Sequence, residues 1–220
     1  MAEADISKVQ ELARKSHSRN DPTGWFEELY SNAQGDESVI PWANLTVNHN
    51  LASWIKNNNL QGKGKSALVV GCGLGDDAEA LSELGFDVTG FDISPSAIAW
   101  CQKRFPDSQV NYVVDDLLHP NVIGDRKHDF ILESYTLQAL PANVRPRGIE
   151  SISKLLAPQG RLLIICRGRD PEQPVLDVPF PLPKEELSYF QQLGLEEVQF
   201  EDYLDQSKPI RRFRIEYTVQ

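Results

Sequence analysis

Ala67-Leu68-Val69-Val70-Gly71-Cys72-Gly73-Leu74-Gly75-Asp76-Asp77 is the stretch whose reading decides the fold. Four consecutive apolar residues, two of them β-branched, are too few for a buried helix and lack polar alternation, so they predict a central strand covered on both faces. Gly71, Gly73 and Gly75 end that strand in a tight turn that lets a ligand approach the backbone closely. Ala78, Leu81 and Leu84 then fall on one face of a helix. Strand, glycine turn and helix in that order predict a nucleotide-like ligand at the turn.

A glycine turn by itself is a weak signal, because dinucleotide folds, other nucleotide folds and ordinary tight turns share it. Here the spacing is Gly-X-Gly-X-Gly, and Asp76 stands where a Gly-X-Gly-X-X-Gly fingerprint takes its third glycine. With Asp77 beside it, the helix start presents carboxylates where a pyrophosphate takes bare amide donors. Acid at that point suits a ligand that lacks phosphates and carries positive charge. S-adenosylmethionine, with a sulfonium and an α-amino group, is such a ligand.

At 220 residues the chain is long enough for one full doubly wound core, alone or with an N-terminal lid. A formal charge of −10 argues against a nucleic-acid or anionic-membrane surface, where phosphate neutralisation dominates, and favours a small-molecule partner. The three cysteines, Cys72, Cys101 and Cys166, are odd in number and far apart, which supports neither a disulfide framework nor a metal site. No stretch approaches a membrane-spanning run and Met1 to Val9 has no apolar core segment. A soluble, cytoplasmic protein is expected, with its oligomeric state left open.

Residues 1 to 20 read as a polar helix that Asp21-Pro22-Thr23-Gly24 breaks. The aromatic segment Trp25, Phe26 and Tyr30 follows, then a polar loop from Ser31 to Ser38 and Ile40-Pro41-Trp42. Tryptophans flanking polar stretches serve either as a lid over a ligand or as anchors to the core. Val47, Leu51, Trp54 and Ile55 recur at helical spacing, so an amphipathic helix precedes the central strand. We take residues 1–61 as an N-terminal helical segment and lid, and 62–220 as the main domain, one structural unit.

Beyond the glycine turn, strands and helices alternate. Phe86 to Asp92 is a second strand, ending in an acid at the distance where doubly wound folds place a carboxylate on a ribose hydroxyl pair. Ser94-Pro95 is an N-cap and a first-turn proline, and Ala97, Ile98, Cys101 and Phe105 make the next helical stripe. Gln109 to Val114 is a third strand, followed by Asp115-Asp116-Leu117, either a solvated turn or a contact for the adenine amine and ring. Asp129 to Ser134 is a fourth strand whose C-terminal end sets Glu133, Ser134 and Tyr135 toward a reacting group; a capping or ion-paired role for Glu133 is the alternative. Ile149, Ile152, Leu155 and Leu156 stripe a helix that Ala157-Pro158-Gln159-Gly160 turns into a fifth strand, Arg161 to Arg167. This β-α-β order implies parallel strands with right-handed crossovers.

Arg167 to Pro183 holds five prolines, and so long a loop at the ligand-bearing edge is expected to line a substrate pocket. Leu187, Phe190 and Leu193 stripe a helix that stops at Gly194. Val198 to Tyr203 and Arg212 to Val219 form a terminal antiparallel hairpin. The fold class is therefore α/β, a doubly wound, mostly parallel seven-stranded sheet of Rossmann-like type that closes on a hairpin.

Taken together, the motifs resemble the class I S-adenosylmethionine-dependent methyltransferases over roughly residues 40 to 219. Val69-Val70-Gly71-Cys72-Gly73-Leu74-Gly75 resembles that family's first motif, Phe91-Asp92-Ile93-Ser94 its second and Asp115-Asp116-Leu117 its third. Ala157-Pro158-Gln159-Gly160-Arg161-Leu162-Leu163 is similar to its Leu-Lys-Pro-Gly-Gly turn into the fifth strand. The resemblance implies that the glycine turn (Gly71, Cys72, Gly73, Gly75, Asp76) holds the methionine end. It gives Asp92 with Ile93 the ribose, Asp116 with Leu117 the adenine, and Glu133 a place at the cofactor. A nearer resemblance, to small-molecule methyltransferases of the thiopurine and tellurite-resistance type, rests on five stretches. These are Trp25, Ile40-Pro41-Trp42, Ser94-Pro95-Ser96-Ala97-Ile98, Pro179-Phe180-Pro181-Leu182 and Glu185-Glu186-Leu187. It implies that Trp25 and Trp42 belong to a lid over the cofactor. Relatives often carry an acid after Pro-Trp, where this chain has Ala43.

Methyl transfer from a sulfonium is an in-line displacement that asks mainly for alignment and desolvation. A thiolate or selenolate acceptor needs no strong base, whereas a hydroxyl or an ammonium does. Glu133, Tyr135 and His49 are the candidates for that role; His17, His119 and His128 are weaker, and Cys72 is read as a small packing residue. The expected activity is methyl transfer to a small thiol, selenol or metalloid species. The alternatives are an O- or N-methyltransferase of a small metabolite, a non-catalytic S-adenosylmethionine-binding protein and, last, an NAD-dependent oxidoreductase, against which Asp76 and the terminal hairpin speak.

Overall fold

The computed structural model describes residues 6–175, 177–205 and 209–219. Three helices come first: α1 (Ile6–Ser18), α2 (Gly24–Ala33) and α3 (His49–Asn58). The alternating region comprises β1 (Ser66–Val70), α4 (Asp76–Glu83), β2 (Asp87–Asp92), α5 (Pro95–Arg104), β3 (Asn111–Val114), β4 (His128–Ser134), α6 (Arg145–Leu155) and β5 (Leu156–Arg167). Two short helices, α7 (Lys184–Leu187) and α8 (Tyr189–Gln192), lead into β6 (Glu196–Leu204) and β7 (Arg211–Thr218). Among the described residues, no helix is long and apolar enough to cross a membrane.

All seven strands form one sheet in the order β3-β2-β1-β4-β5-β7-β6. The pairs β1–β2, β2–β3, β1–β4 and β4–β5 are parallel, so the C-terminal ends of β1 to β5 share one edge. β7 enters antiparallel between β5 and β6, which puts its N-terminal residues at that same edge. β1 is central because Ala67 to Val70 are all buried, feeding both faces. Leu68 and Val70 pack with Ile131, Leu162 and Ile164 under α6, while Ala67 and Val69 pack with Phe130, Leu132, Leu163 and Trp54 of α3. Trp54 stacks on Phe130 at 5.7 Å between ring centroids. Each fully buried Leu or Ile of these layers contributes roughly 1.5–3 kcal/mol.

Local chemistry sets the element ends. Ser94 accepts a bond from the Ala97 amide at 3.0 Å and Pro95 occupies the first turn, starting α5. Asn48 caps α3 by accepting from the Asn50 amide at 2.9 Å. Gly75, at φ +90°, admits no side chain: a Cβ there would lie 2.5 Å from the Tyr112 hydroxyl oxygen. At Gly71, φ +59°, a Cβ would run into Thr136 of the loop after β4.

Several elements differ from the sequence reading. α1 is not uniformly polar, since Val9, Ala13 and Ser16 are buried against the following segment. Residues 1–5 of the expected first helix lie outside the described residues. β5 begins at Leu156, before the expected turn, with a register shift opposite His128 and Phe130. The single helix expected around Leu187 to Leu193 is split into α7 and α8, leaving Leu193 exposed.

Candidate cofactor and acceptor site

The glycine turn leaves β1 at the shared edge and is held there by its own backbone. The Cys72 amide donates to the Phe91 carbonyl at 2.8 Å and the Gly75 amide to the Cys72 carbonyl at 3.0 Å. Asp92, the last residue of β2, ties the two loops together by accepting from the Gly73 amide (3.0 Å) and the Ser94 amide (2.9 Å). Burial lifts its carboxyl to about 6, against the pull of those amides. Ile93, half-buried, follows it on the same loop.

Asp76 does not present a free carboxylate to a ligand. Arg104 of α5 grips it with two bonds of 2.8 Å, and also bonds the Leu74 carbonyl. The charge expected to face a cation is neutralised within the protein, because the i+28 partner was invisible in local sequence. Asp77 instead accepts from the Asn48 amide at 2.7 Å, and desolvation lifts its carboxyl to about 6. The Cys72 thiol is buried against the Cys101 sulfur, which with burial holds its pKa far above the usual thiol range. It is no nucleophile at neutral pH.

After β3, Asp115 is buried and accepts from the Asn121 and Ile123 amides, at 3.0 and 2.8 Å, which closes its loop. Asp116 is the accessible acid, bonded to the Leu118 amide (2.8 Å) and His119 Nδ1 (2.9 Å). Leu117, expected beside a base, points elsewhere: it is 6% exposed and packs in the core close to Gly148 of α6.

The N-terminal helices lie over this edge. Glu27 of α2 accepts from Ser94 Oγ (2.6 Å), Ser96 Oγ (2.7 Å) and the Ser96 amide (3.1 Å), which clamps α2 onto the start of α5. Tyr30 brings its hydroxyl to 3.1 Å from where a Cβ on Gly73 would sit, and accepts from the Trp42 indole at 2.8 Å. Trp42 is 37% exposed. Trp25 is sealed in the packing with Leu74 and Ala97 and stacks on Phe26, so its side chain anchors the segment and faces no cleft. Gln10 of α1 reaches the Val178 carbonyl at 3.1 Å, joining the proline-rich loop to this cover.

Glu133, expected to face the reacting group, is 0% exposed. One carboxylate oxygen accepts from the Thr136 amide (2.7 Å) and the Leu137 amide (2.9 Å), capping the 3-10 turn Leu137–Ala139, and the other has no partner among the described residues. Burial lifts its carboxyl to about 7. It acts on the loop, because a strand-end residue pointing inward meets the next turn and not solvent. Tyr135 adopts φ +67° and is half-buried. Its hydroxyl accepts from Asn50 Nδ2 at 3.1 Å, and the Arg212 guanidinium sits 5.0 Å from its ring centroid.

Around Tyr135 the edge is polar. Asn48 Nδ2 donates to Ser134 Oγ at 3.0 Å and the Tyr203 hydroxyl to Asn50 Oδ1 at 2.7 Å. His49, largely exposed, lies 3.0 Å from Asp205, which also accepts from Arg212 Nε at 3.3 Å. Arg212 and Arg214 are each 8% exposed. His128 is buried at the start of β4, on the opposite edge. Glu27, Asn48 and Arg212 were not singled out from the sequence, and Tyr30 and Arg167 entered only as members of the aromatic segment and of the proline-rich loop. The alternation Arg212, Arg214, Glu216 gave the one available signal, polar residues on a strand that turns out to be internal.

The residues at this edge suit S-adenosylmethionine: a glycine turn with the Tyr30 hydroxyl beside it, a strand-end carboxylate and an accessible acid one strand further. With the strand order β3-β2-β1-β4-β5-β7-β6 closing on a reversed β7, they define a Rossmann-like methyltransferase fold. Residues 67–160 match the family model described as a methyltransferase domain. The chain is 26% identical over 166 residues to thiocyanate methyltransferase 1 of Arabidopsis thaliana, covering 73% of this chain and 68% of that one. It is similar to the TehB-like SAM-dependent methyltransferase from Corynebacterium glutamicum (TM-score 0.63, 20% identity, 86% of this chain and 100% of the other). A structure described as "Conversion of a Disulfide Bond into a Thioacetal Group during Echinomycin Biosynthesis" superposes at TM-score 0.70 with 18% identity, over 87% of this chain and 91% of the other. Residues 67–160 are a methyltransferase domain, and S-adenosylmethionine is the cofactor that such a domain uses.

Proposed function

We propose that this enzyme methylates the sulfur, or a comparably soft atom, of a small acceptor. The observation that carries the reading is the chemistry at the ends of β4, β5 and β7. Glu133 is sealed and Cys72 is held protonated, while guanidinium groups crowd the edge. Such a site favours a nucleophile that is already anionic or readily becomes so, which describes a thiol and not an alcohol. The names of the thiocyanate and thiol methyltransferases of Arabidopsis thaliana support it.

When bound, S-adenosylmethionine supplies the methyl group as a sulfonium that leaves as a neutral thioether. In this reading the turn residues Gly71, Cys72, Gly73 and Gly75 offer their backbone to the methionine end. Asp92 and Ile93 hold the ribose, and Asp116 accepts the adenine amine. The helices up to residue 61 act as the cover, with Trp42 at its rim and Glu27 as its clasp. Tyr135 and the arginines orient the acceptor, and Glu133 positions the loop that carries Tyr135. A second reading, methylation of a hydroxyl, rests on the His49–Asp205 pair, which could serve as a base.

Calorimetry with S-adenosylmethionine, S-adenosylhomocysteine and NADH, followed by transfer of labelled methyl to thiol, selenol, hydroxyl and amine panels, tests both readings. Transfer to thiols that survives His49→Ala supports the first. Transfer to hydroxyls alone, abolished by His49→Ala, overturns it in favour of the second.

A further inference from the structure

Arg167 ends β5 and lies directly opposite Arg212 in the antiparallel β5–β7 register. Opposed residues of an antiparallel pair project from the same face, so two guanidinium groups are set side by side, an arrangement that is unfavourable unless something answers the charge. Arg212 has its answer in Asp205. Its neighbours do as well: Arg161 pairs with Glu216, Arg169 with Glu186, Arg211 with Asp202 and Arg214 with Glu201. Arg167 pairs with no carboxylate among the described residues, although the chain carries 32 acidic residues against 22 Lys and Arg. It is half-buried, and both burial and Arg212 disfavour its charge. A guanidinium stays charged in such surroundings.

The position is also specific. Gln138 accepts from the Arg167 amide at 2.6 Å, and the Leu182 amide donates to its carbonyl at 2.9 Å, so the residue's backbone is fixed. It stands at the edge that bears the glycine turn, with the Tyr135 ring beside Arg212. A flat five-donor fork held there matches a carboxylate better than a spherical anion. We propose that Arg167 binds the carboxylate of the methyl acceptor, which makes the acceptor a small mercapto acid. The proposal rests on the S-methylation reading for the acceptor's thiol, but not for its carboxylate.

The test compares kcat/KM for 3-mercaptopropionate and for neutral 2-mercaptoethanol in the wild type, Arg167→Gln and Arg167→Lys. The wild type is expected to favour the acid at least about tenfold, as one charge-assisted pair provides. Arg167→Gln removes that preference, and Arg167→Lys retains part of it. A wild type without preference, a preference for thiocyanate over the mercapto acid, or an equal loss on both thiols in Arg167→Gln overturns the proposal. If neither thiol is methylated, the S-methylation reading has failed. The carboxylate site is then still read by calorimetry of 3-mercaptopropionate with the S-adenosylhomocysteine-loaded protein. Binding that Arg167→Gln abolishes supports the site, and no binding to the wild type overturns it.

Discussion

Glu133→Gln should flatten the pH dependence of folding stability. The Glu133 carboxyl is fully buried, with one oxygen held by two amides and the other without a partner among the described residues, and burial raises its pKa from 4.5 to about 7. In the unfolded chain the proton leaves near the ordinary value, while the folded chain keeps it until about 7. Between the two, the folded state binds more protons. The stabilisation is therefore complete below the unfolded pKa and is lost as pH rises through the folded one. At about 1.4 kcal/mol per unit, the shift corresponds to about 3 kcal/mol lost across that interval. Asp77 and Asp92, both lifted to about 6, add to the same slope and remain in the variant. Urea denaturation of the ligand-free protein between about pH 5 and pH 8 reads the effect, and Glu133→Gln should lose about 2–3 kcal/mol less than the wild type over that range. Parallel profiles for the two proteins would refute the placement of this carboxyl as a buried, self-contained cap.

Asp92→Ala should weaken S-adenosylmethionine binding by more than about tenfold in calorimetry, from the loss of a charge-assisted contact; unchanged affinity in a folded variant would remove Asp92 from the ribose. Glu27→Gln should loosen the clasp on Ser94 and Ser96 and speed cofactor release in stopped-flow measurements, and an unaltered release rate would show that the cover does not gate the site. Gly75→Ala should lower the melting temperature, since both its φ and the Tyr112 hydroxyl oppose a Cβ, at a cost of roughly 1–3 kcal/mol. A wild-type melting curve would contradict that geometry.

The alternating core was legible because its signals are local. Val69 and Val70 before Gly71, Ser94 before Pro95 and the stripe Ile149, Ile152, Leu155 each announce an element within a few residues. At the candidate site the glycine turn was legible because it is a feature of the backbone, and the side-chain partners were not. Asp76 read as free because nothing nearby in sequence reveals Arg104, and Leu117 read as a base contact although Asp115 closes the loop and turns Leu117 inward. Glu133 stood at the expected strand end, but which way a strand-end side chain points depends on the turn that follows. Arg167 and Arg212 are 45 positions apart, and only the sheet register makes them neighbours.

That register also orders events during synthesis. β1 to β4 have their partners for mutual hydrogen bonding in the chain once Ser134 has been made, so the edge that bears the glycine turn needs only an incomplete chain. β6 is different: among the described residues it pairs in the sheet with β7 alone, which is translated after it and lies between it and β5. On the proposed assignment, a ribosome paused before residue 211 would thus hold a nascent chain that already contains the glycine turn for the methyl donor and still lacks β7 beside the acceptor. The donor's half of the proposed site is therefore translated before the acceptor's, whatever the order in which the two ligands bind.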